Sequence, residues 1–197
     1  MRAMWLLVVV GACAPDIVPG SYLCGAEESC PPDEACDGVT DSCVLTSSAV
    51  PFACDAGTEH TGDDTADQAR AIPMLNCVSP AYRESDCMPI GDSADWYKLA
   101  VPSTCTSVEV QARIIYPVAY EGLSLELWDL GTNQSIGTDI PCPDSVGDPA
   151  HVERCIKLTV TPGSSYGLLV KPSGQGMCGG ACAYNRYDLS VSLDTPG

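Results

Sequence analysis

Residues 108–115 read VEVQARII and residues 123–128 read LSLELW. In the first, Val108, Val110, Ala112 and Ile114 alternate with Glu109, Gln111 and Arg113. In the second, Leu123, Leu125 and Leu127 alternate with Ser124, Glu126 and Trp128. Apolar side chains at every second position share one face of an extended chain, so each stretch predicts a strand with one buried side. Outward from this pair, Ile156, Leu158 and Val160 alternate with Lys157 and Thr159, and Leu189, Val191 and Leu193 with Asp188, Ser190 and Ser192. Trp96 to Val101 and Tyr166 to Val170 bring the set to six, separated by Gly, Pro, Asn or Asp turns. Only DTADQARAI at 64–72 reads as helical, with Asp64 as the cap of a short helix from Thr65 to Ile72. The pattern predicts an all-β chain folded as an antiparallel β-sandwich.

Charge and cysteine usage bound the rest. The chain has 197 residues, with 26 acids against 9 bases, and 14–69 holds twelve Asp or Glu and no Lys or Arg. A surface this acidic repels nucleic acid and anionic headgroups and favours divalent cations. Thirteen cysteines, most in loops of Gly, Pro and Asp, imply crosslinking in an oxidising compartment. Zinc fits poorly: Cys24, Cys30, Cys36 and Cys43 follow a C-x5-C-x5-C-x6-C spacing, and neither histidine adjoins a cysteine.

The N-terminus, MRAMWLLVVVGAC, has one positive charge, eight apolar residues and a small pair before Cys13, the layout of an export signal. As a helix the first twelve residues reach about 18 Å, short of the roughly 30 Å hydrocarbon layer, so a spanning role is not expected. Val10-Gly11-Ala12 also suits an ordinary signal peptidase. However, VGAC resembles the bacterial lipobox, in which the cysteine receives lipid and becomes the new N-terminus. Lipid on Cys13 leaves twelve cysteines for six disulfides, whereas an unmodified Cys13 leaves an odd thiol or pairs with a later cysteine. The expected organisation is a signal peptide at 1–12, a lipidated tether at 13–23, a disulfide knot at 24–57 and a sandwich at 58–197. The protein is expected in the bacterial cell envelope as an outer-membrane or surface lipoprotein.

The knot has no apolar periodicity and little bulk to bury, so its order is expected from crosslinks rather than regular structure. Pairing of Cys24 with Cys36 and Cys30 with Cys43 is the expectation, though spacing leaves the connectivity open. Cys142 with Cys155 and Cys178 with Cys182 are further candidates, and Cys54, Cys77, Cys87 and Cys105 remain to be partnered.

GDDTADQARAI at 62–72, GDSADWYKLAVP at 91–102, LSLELWDLGT at 123–132 and TPGSSYGLLVKP at 161–172 together resemble the landmarks of bacterial pre-peptidase C-terminal domains, in order and over roughly Thr58 to Leu193. The resemblance implies a jelly-roll-like sandwich, known as an appendage of secreted peptidases. It also implies a calcium site at Asp63, Asp64, Asp92 and Asp95, with Glu59 upstream, although Thr61 stands where many members have Glu. Ca²⁺ takes six to eight oxygens, which loop carboxylates supply. Capping by Asp64 and turn formation by Asp92 and Asp95 are the competing roles. Of the pair Trp96 and Tyr97, one is expected in the core and the other exposed.

Catalytic chemistry is sparse. Gly163-Ser164-Ser165-Tyr166-Gly167 satisfies G-x-S-x-G, but that motif works on a strand-turn-helix and the sequence continues as a strand. His60 and His151 are the available histidine bases, both expected at the surface. The glycines of GMCGGAC at 176–182 lack the Lys and Ser/Thr of a phosphate loop. The reading is therefore a non-catalytic, lipid-anchored binding or display module with a protein or polysaccharide ligand. The alternatives are an accessory domain or partner of a secreted hydrolase, and a soluble secreted cysteine-rich binding protein.

Overall fold

The computed structural model describes residues 18–55, 59–60, 62–78, 80–145, 147–174 and 184–196. The signal-like segment, Cys13, Cys178 and Cys182 lie outside the described residues. Among the described residues there are twelve strands: β1 (Glu34–Asp37), β2 (Ser42–Leu45), β3 (Arg70–Ala71), β4 (Tyr82–Met88), β5 (Asp95–Ala100), β6 (Val108–Pro117), β7 (Leu123–Asp129), β8 (Gln134–Thr138), β9 (Ile140–Pro141), β10 (His151–Val160), β11 (Ser165–Pro172) and β12 (Asn185–Asp194). β1 and β2 make a hairpin, and the rest form two five-stranded sheets ordered β4-β12-β6-β10-β9 and β3-β5-β11-β7-β8. Pairing is antiparallel except between β3 and β5. The chain is an antiparallel β-sandwich preceded by a disulfide-rich segment.

The six strands legible from alternation are all present, with the apolar face turned inward. Val108, Val110 and Ile114 of β6, Leu125 and Leu127 of β7 and Leu168 and Val170 of β11 are fully buried in one core with Leu189, Val191 and Leu193 of β12. Their registers place Leu168 opposite Leu127 and Tyr97, and Leu189 opposite Ile114, so both inner faces are continuous across their sheets. Burying side chains of this size stabilises by about 1.5–3 kcal/mol each.

The expected helix at 65–72 is absent. Residues 65–68 close a single turn, with the Gln68 N–H bonding Thr65 O at 2.9 Å, and the chain then enters β3. A helix of eight residues barely repays its nucleation. Here the parallel pairing with β5 takes its backbone instead, the Ile72 N–H reaching Lys98 O at 2.9 Å. Asp64 caps nothing, and its Oδ1 accepts a hydrogen bond from Ser93 Oγ at 3.2 Å. The expectation that one of Trp96 and Tyr97 is exposed also gives way. Tyr97 points into the core, while Trp96 lies on the outer face of its sheet, covered edge-on by Trp128 at 5.5 Å between ring centroids. Gly167 lets the Trp96 ring approach the backbone of β11, since a Cβ there would lie 2.9 Å from Trp96 Cζ3.

Five disulfides occur among the described residues: Cys24–Cys36, Cys30–Cys43, Cys54–Cys87, Cys77–Cys105 and Cys142–Cys155. They mark a chain that folds in an oxidising, extracytoplasmic compartment. The first two interleave within the cysteine-rich segment, and Cys54–Cys87 ties that segment to β4. The segment also carries the β1–β2 hairpin and docks on the sandwich through aromatic rings. Phe52 lies 4.4 Å from Tyr120 and stacks on Tyr184 at 4.8 Å between centroids. Tyr184 donates to Glu28 Oε1, Tyr120 to Asp41 Oδ1, and Arg186 Nη1 to Gly38 O. Gly38 admits Phe52 to this junction: a Cβ on Gly38 would fall 2.3 Å from the Phe52 backbone. No helix among the described residues is long and apolar enough to cross a membrane.

Candidate functional site

The two sheets meet at an edge where β3 and β5 face β4. Tyr187 pairs with Asp86 and Leu189 with Glu84, so β4 turns Glu84 and Asp86 toward the interior rather than toward solvent. From the opposite sheet Asp95 and Tyr97 of β5 point inward, and Arg70, in register with Tyr97, points the same way from β3. Asp63 is drawn in beside them because its carbonyl accepts the Trp96 N–H at 3.0 Å, extending the strand pairing into the preceding loop. The result is a polar cluster closing one end of an apolar core.

Arg70 is its hub. Nε donates to Asp63 Oδ2 at 2.7 Å, Nη1 to Glu84 Oε1 at 2.5 Å, and Nη2 to Asp86 Oδ2 and to the Tyr97 hydroxyl. The Tyr97 hydroxyl lies 2.7 Å from that of Tyr187, which donates to Asp95 Oδ2 at 2.5 Å. His60 Nδ1 approaches Asp86 Oδ1 at 3.3 Å from the solvent side. Burial opposes the charge on Arg70, but Tyr97, Asp86, Tyr187 and Glu84 outweigh it and raise its pKa. Burial pushes both phenols up as well, so they remain protonated donors.

The carboxylates outnumber the cation. Asp63, Asp64, Glu84, Asp86, Asp92 and Asp95 gather at this edge against one arginine, which pairs with Asp63, Glu84 and Asp86, and one partly exposed histidine, which pairs with Asp86. Asp95 is completely buried, and burial, with Asp86, Asp92 and Asp63 nearby, raises its pKa to about 8 against the pull of the Tyr187 hydrogen bond. Asp92 rises to about 6, chiefly through burial, then through Asp64 and Asp63, although the Ala94 N–H bonded to it works the other way. The Oδ1 of Asp95 has no hydrogen-bond partner. A buried unpaired carboxylate oxygen is costly, and the deficit is relieved by a proton or a cation. One oxygen each from Asp63, Asp86 and Asp95 lie within 4.8 Å of one another, and one ligand atom each from His60, Glu84 and Asp86 form a second such group.

Of the residues singled out from sequence, Asp63, Asp64, Asp92 and Asp95 are brought to this edge. Asp92 also forms a turn, accepting the Ala94 N–H at 3.3 Å. Glu59, half-buried, stands outside both groups, its backbone N–H bonded to Asp55 O. Arg70, Glu84, Asp86 and Tyr187 were not foreseen. One signal was available: after Arg2, Arg70 is the first base in the chain, at the end of a long acidic run.

Elsewhere, Ser165 opens β11, and the strand runs on through Pro172 with no helix behind the serine, so the nucleophile-elbow geometry is not formed. His151 bonds Asp148 at 2.8 Å. A cleft of about 480 Å³ lies between the cysteine-rich segment and the outer face of the β4-β12-β6-β10 sheet, with Asp41, Asp55, Asp148, Glu153 and Asp188 on its walls.

No protein-family model and no curated protein matches the chain. Among solved structures, it is similar to the pre-peptidase C-terminal domain of a collagenase from Bacillus anthracis, at 17% identity and a TM-score of 0.37, over 64% of this chain and 93% of that one. It is also similar to a carbohydrate-binding module of a lichenase from Cellvibrio mixtus, solved with cellotriose, at 16% identity and a TM-score of 0.29, over 60% of this chain and 93% of that one. Overlap of this degree assigns no family.

Proposed function

We propose that this protein is a non-catalytic binding or display module of the bacterial cell envelope, tethered by lipid on Cys13, whose sandwich holds one Ca²⁺ ion at the β3/β5–β4 edge. Asp95 Oδ1 carries the cation reading. It is buried and unpartnered, and the Asp95 carboxylate brings an oxygen within 4.8 Å of carboxylate oxygens of Asp63 and Asp86. Asp63, Asp86 and Asp95 would hold the ion from inside, with Asp64 and Asp92 completing an all-oxygen set from the loops, the donor type Ca²⁺ prefers. The ion would neutralise the excess acids and fix the loop before β3 and the β4–β5 loop against β5. Its role is structural.

The tether rests on VGAC and on the cysteine balance, ten of the twelve later cysteines being paired among the described residues. Two or more acyl chains give stable anchoring where one is marginal. The strand setting of Ser165 supports binding over hydrolysis, and the ligand class is a protein or polysaccharide.

Two measurements test the proposal. Mass spectrometry of the mature N-terminus from a membrane fraction is expected to show diacylglycerol on Cys13; a free Ala14 amine or an unmodified Cys13 removes the anchor. Calorimetry of chelator-treated protein is expected to give heat at one equivalent of Ca²⁺ with a rise in melting temperature. The absence of both heat and a shift removes the site.

A further inference from the structure

Arg70 does something unusual for an arginine on an edge strand. No backbone hydrogen bond joins β3 to β4, which belong to different sheets, yet the guanidinium holds Asp63 on its own side and Glu84 and Asp86 on the other. Three carboxylates from two sheets converge on one centre of positive charge, which is how a multivalent cation crosslinks a fold. The side chain is mostly buried, at 18% exposure, as are those of Asp63, Glu84 and Asp86 at 4, 20 and 0%. The ring of Tyr97 lies 4.3 Å from the guanidinium carbon and fixes its plane. The three groups that face it from β4 and from the loop outside it, Glu84, Asp86 and His60, are themselves a metal-spaced set.

We infer that Arg70 is a tethered cation plugging a latent metal site made of His60, Glu84 and Asp86, so that the wild-type cluster holds a single ion at Asp95. The inference rests on reading this edge as a cation-binding one and shares Asp86 with the Ca²⁺ site, but His60 and Glu84 belong to it alone and it fails separately. With one imidazole and two carboxylates, the unplugged site would suit Zn²⁺ or Mn²⁺ as well as Ca²⁺. The guanidinium blocks it because Nη1 and Nη2 already hold one carboxylate oxygen each of Glu84 and Asp86, whereas Asp95 accepts none of the hydrogen bonds described for Arg70.

The test is Arg70→Met in the full chain, a change that keeps the apolar stem and removes the fork. Wild type and variant are stripped with chelator, then followed by calorimetry and thermal melting with Zn²⁺, Mn²⁺ and Ca²⁺ separately. The variant is expected to melt lower when metal-free. It should bind one more equivalent of Zn²⁺ or Mn²⁺ than wild type and regain roughly 5–10 °C at a hundredfold excess over Kd. His60→Ala in the same background is expected to abolish the extra Zn²⁺ equivalent. Equal stoichiometry in wild type and variant, with no recovery by any of the three ions, overturns the inference. A variant that folds only with metal supports it. If Arg70→Met folds under no condition, Arg70→Met/Glu84→Gln decides: restored folding shows that Arg70 compensates charge, and continued failure shows that it acts by packing and overturns the inference. Wild type that takes up no Ca²⁺ would remove the Asp95 site and leave the comparison between wild type and variant intact.

Discussion

Asp95 is a carboxylate placed where a neutral group would cost less. Its pKa of about 8 and that of Asp92, about 6, lie above their unfolded values near about 4. The folded state therefore binds more protons than the unfolded one across that interval. The contribution of these two groups to stability is fully present below about pH 4, and it is lost as pH rises through about 6 and then about 8. Asp37 and Asp148 have the opposite sign: their pKa values are lowered, chiefly by the hydrogen bonds from Thr40 and from the Ala150 N–H, so their contribution disappears on acidification. Melting of chelator-treated protein is expected to decline from pH 5 to pH 8.5, and saturating Ca²⁺ should flatten the decline, since the ion takes the place of the protons. Asp95→Asn makes the point at a single atom. It should melt no lower than wild type in chelator at pH 8, because the buried charge is gone, and should lose the response to Ca²⁺.

Among the elements, β4 explains why part of this molecule was legible and part was not. β6, β7, β10, β11 and β12 display apolar residues at every second position because their inner faces meet a hydrocarbon core. In YRESDCM the inward positions are Tyr82, Glu84, Asp86 and Met88, so the alternation that betrays a strand is erased by the charges that make the site. The fold was therefore readable from its core, and of the candidate site only Asp63, Asp64, Asp92 and Asp95 were named, through the family resemblance rather than through alternation. Arg70 and Asp86 escaped because their significance arises only once two sheets are stacked. The segment at 65–72 misled for a related reason, since a helical composition says nothing of a neighbouring strand with free backbone groups. Two substitutions probe these elements. Gly167→Ala pushes a methyl into the ring of Trp96 and should cost about 1–3 kcal/mol in denaturant unfolding, with a change in tryptophan fluorescence. Replacing Cys54 and Cys87 together by serine opens a loop of 33 residues and should cost about 4 kcal/mol on the chain-entropy account.

At the scale of the whole molecule, an acidic surface and a crosslinked skeleton serve one end, persistence outside the cell without attraction to nucleic acid or anionic lipid. The junction between the cysteine-rich segment and the sandwich is built from Phe52, Tyr120 and Tyr184 together with the Cys54–Cys87 bond, and the covalent part governs how the molecule bears load. Pulled apart by its two ends, the oxidised chain cannot pay out the residues between Cys54 and Cys87, so tension bypasses β3 and the Asp63 loop and enters the sandwich at Cys87, on β4. That edge strand is held to the sheet by β12 on one side alone and would be peeled away from it. Single-molecule extension should show the Arg70 cluster shielded until β4 detaches. Reduction opens all five disulfides and should lengthen the extended chain, with tension then reaching the Asp63 loop and β3 directly. The bond that looks like a staple for a small domain is thereby also a load path, one that leaves β3 and the Asp63 loop slack for as long as it is intact.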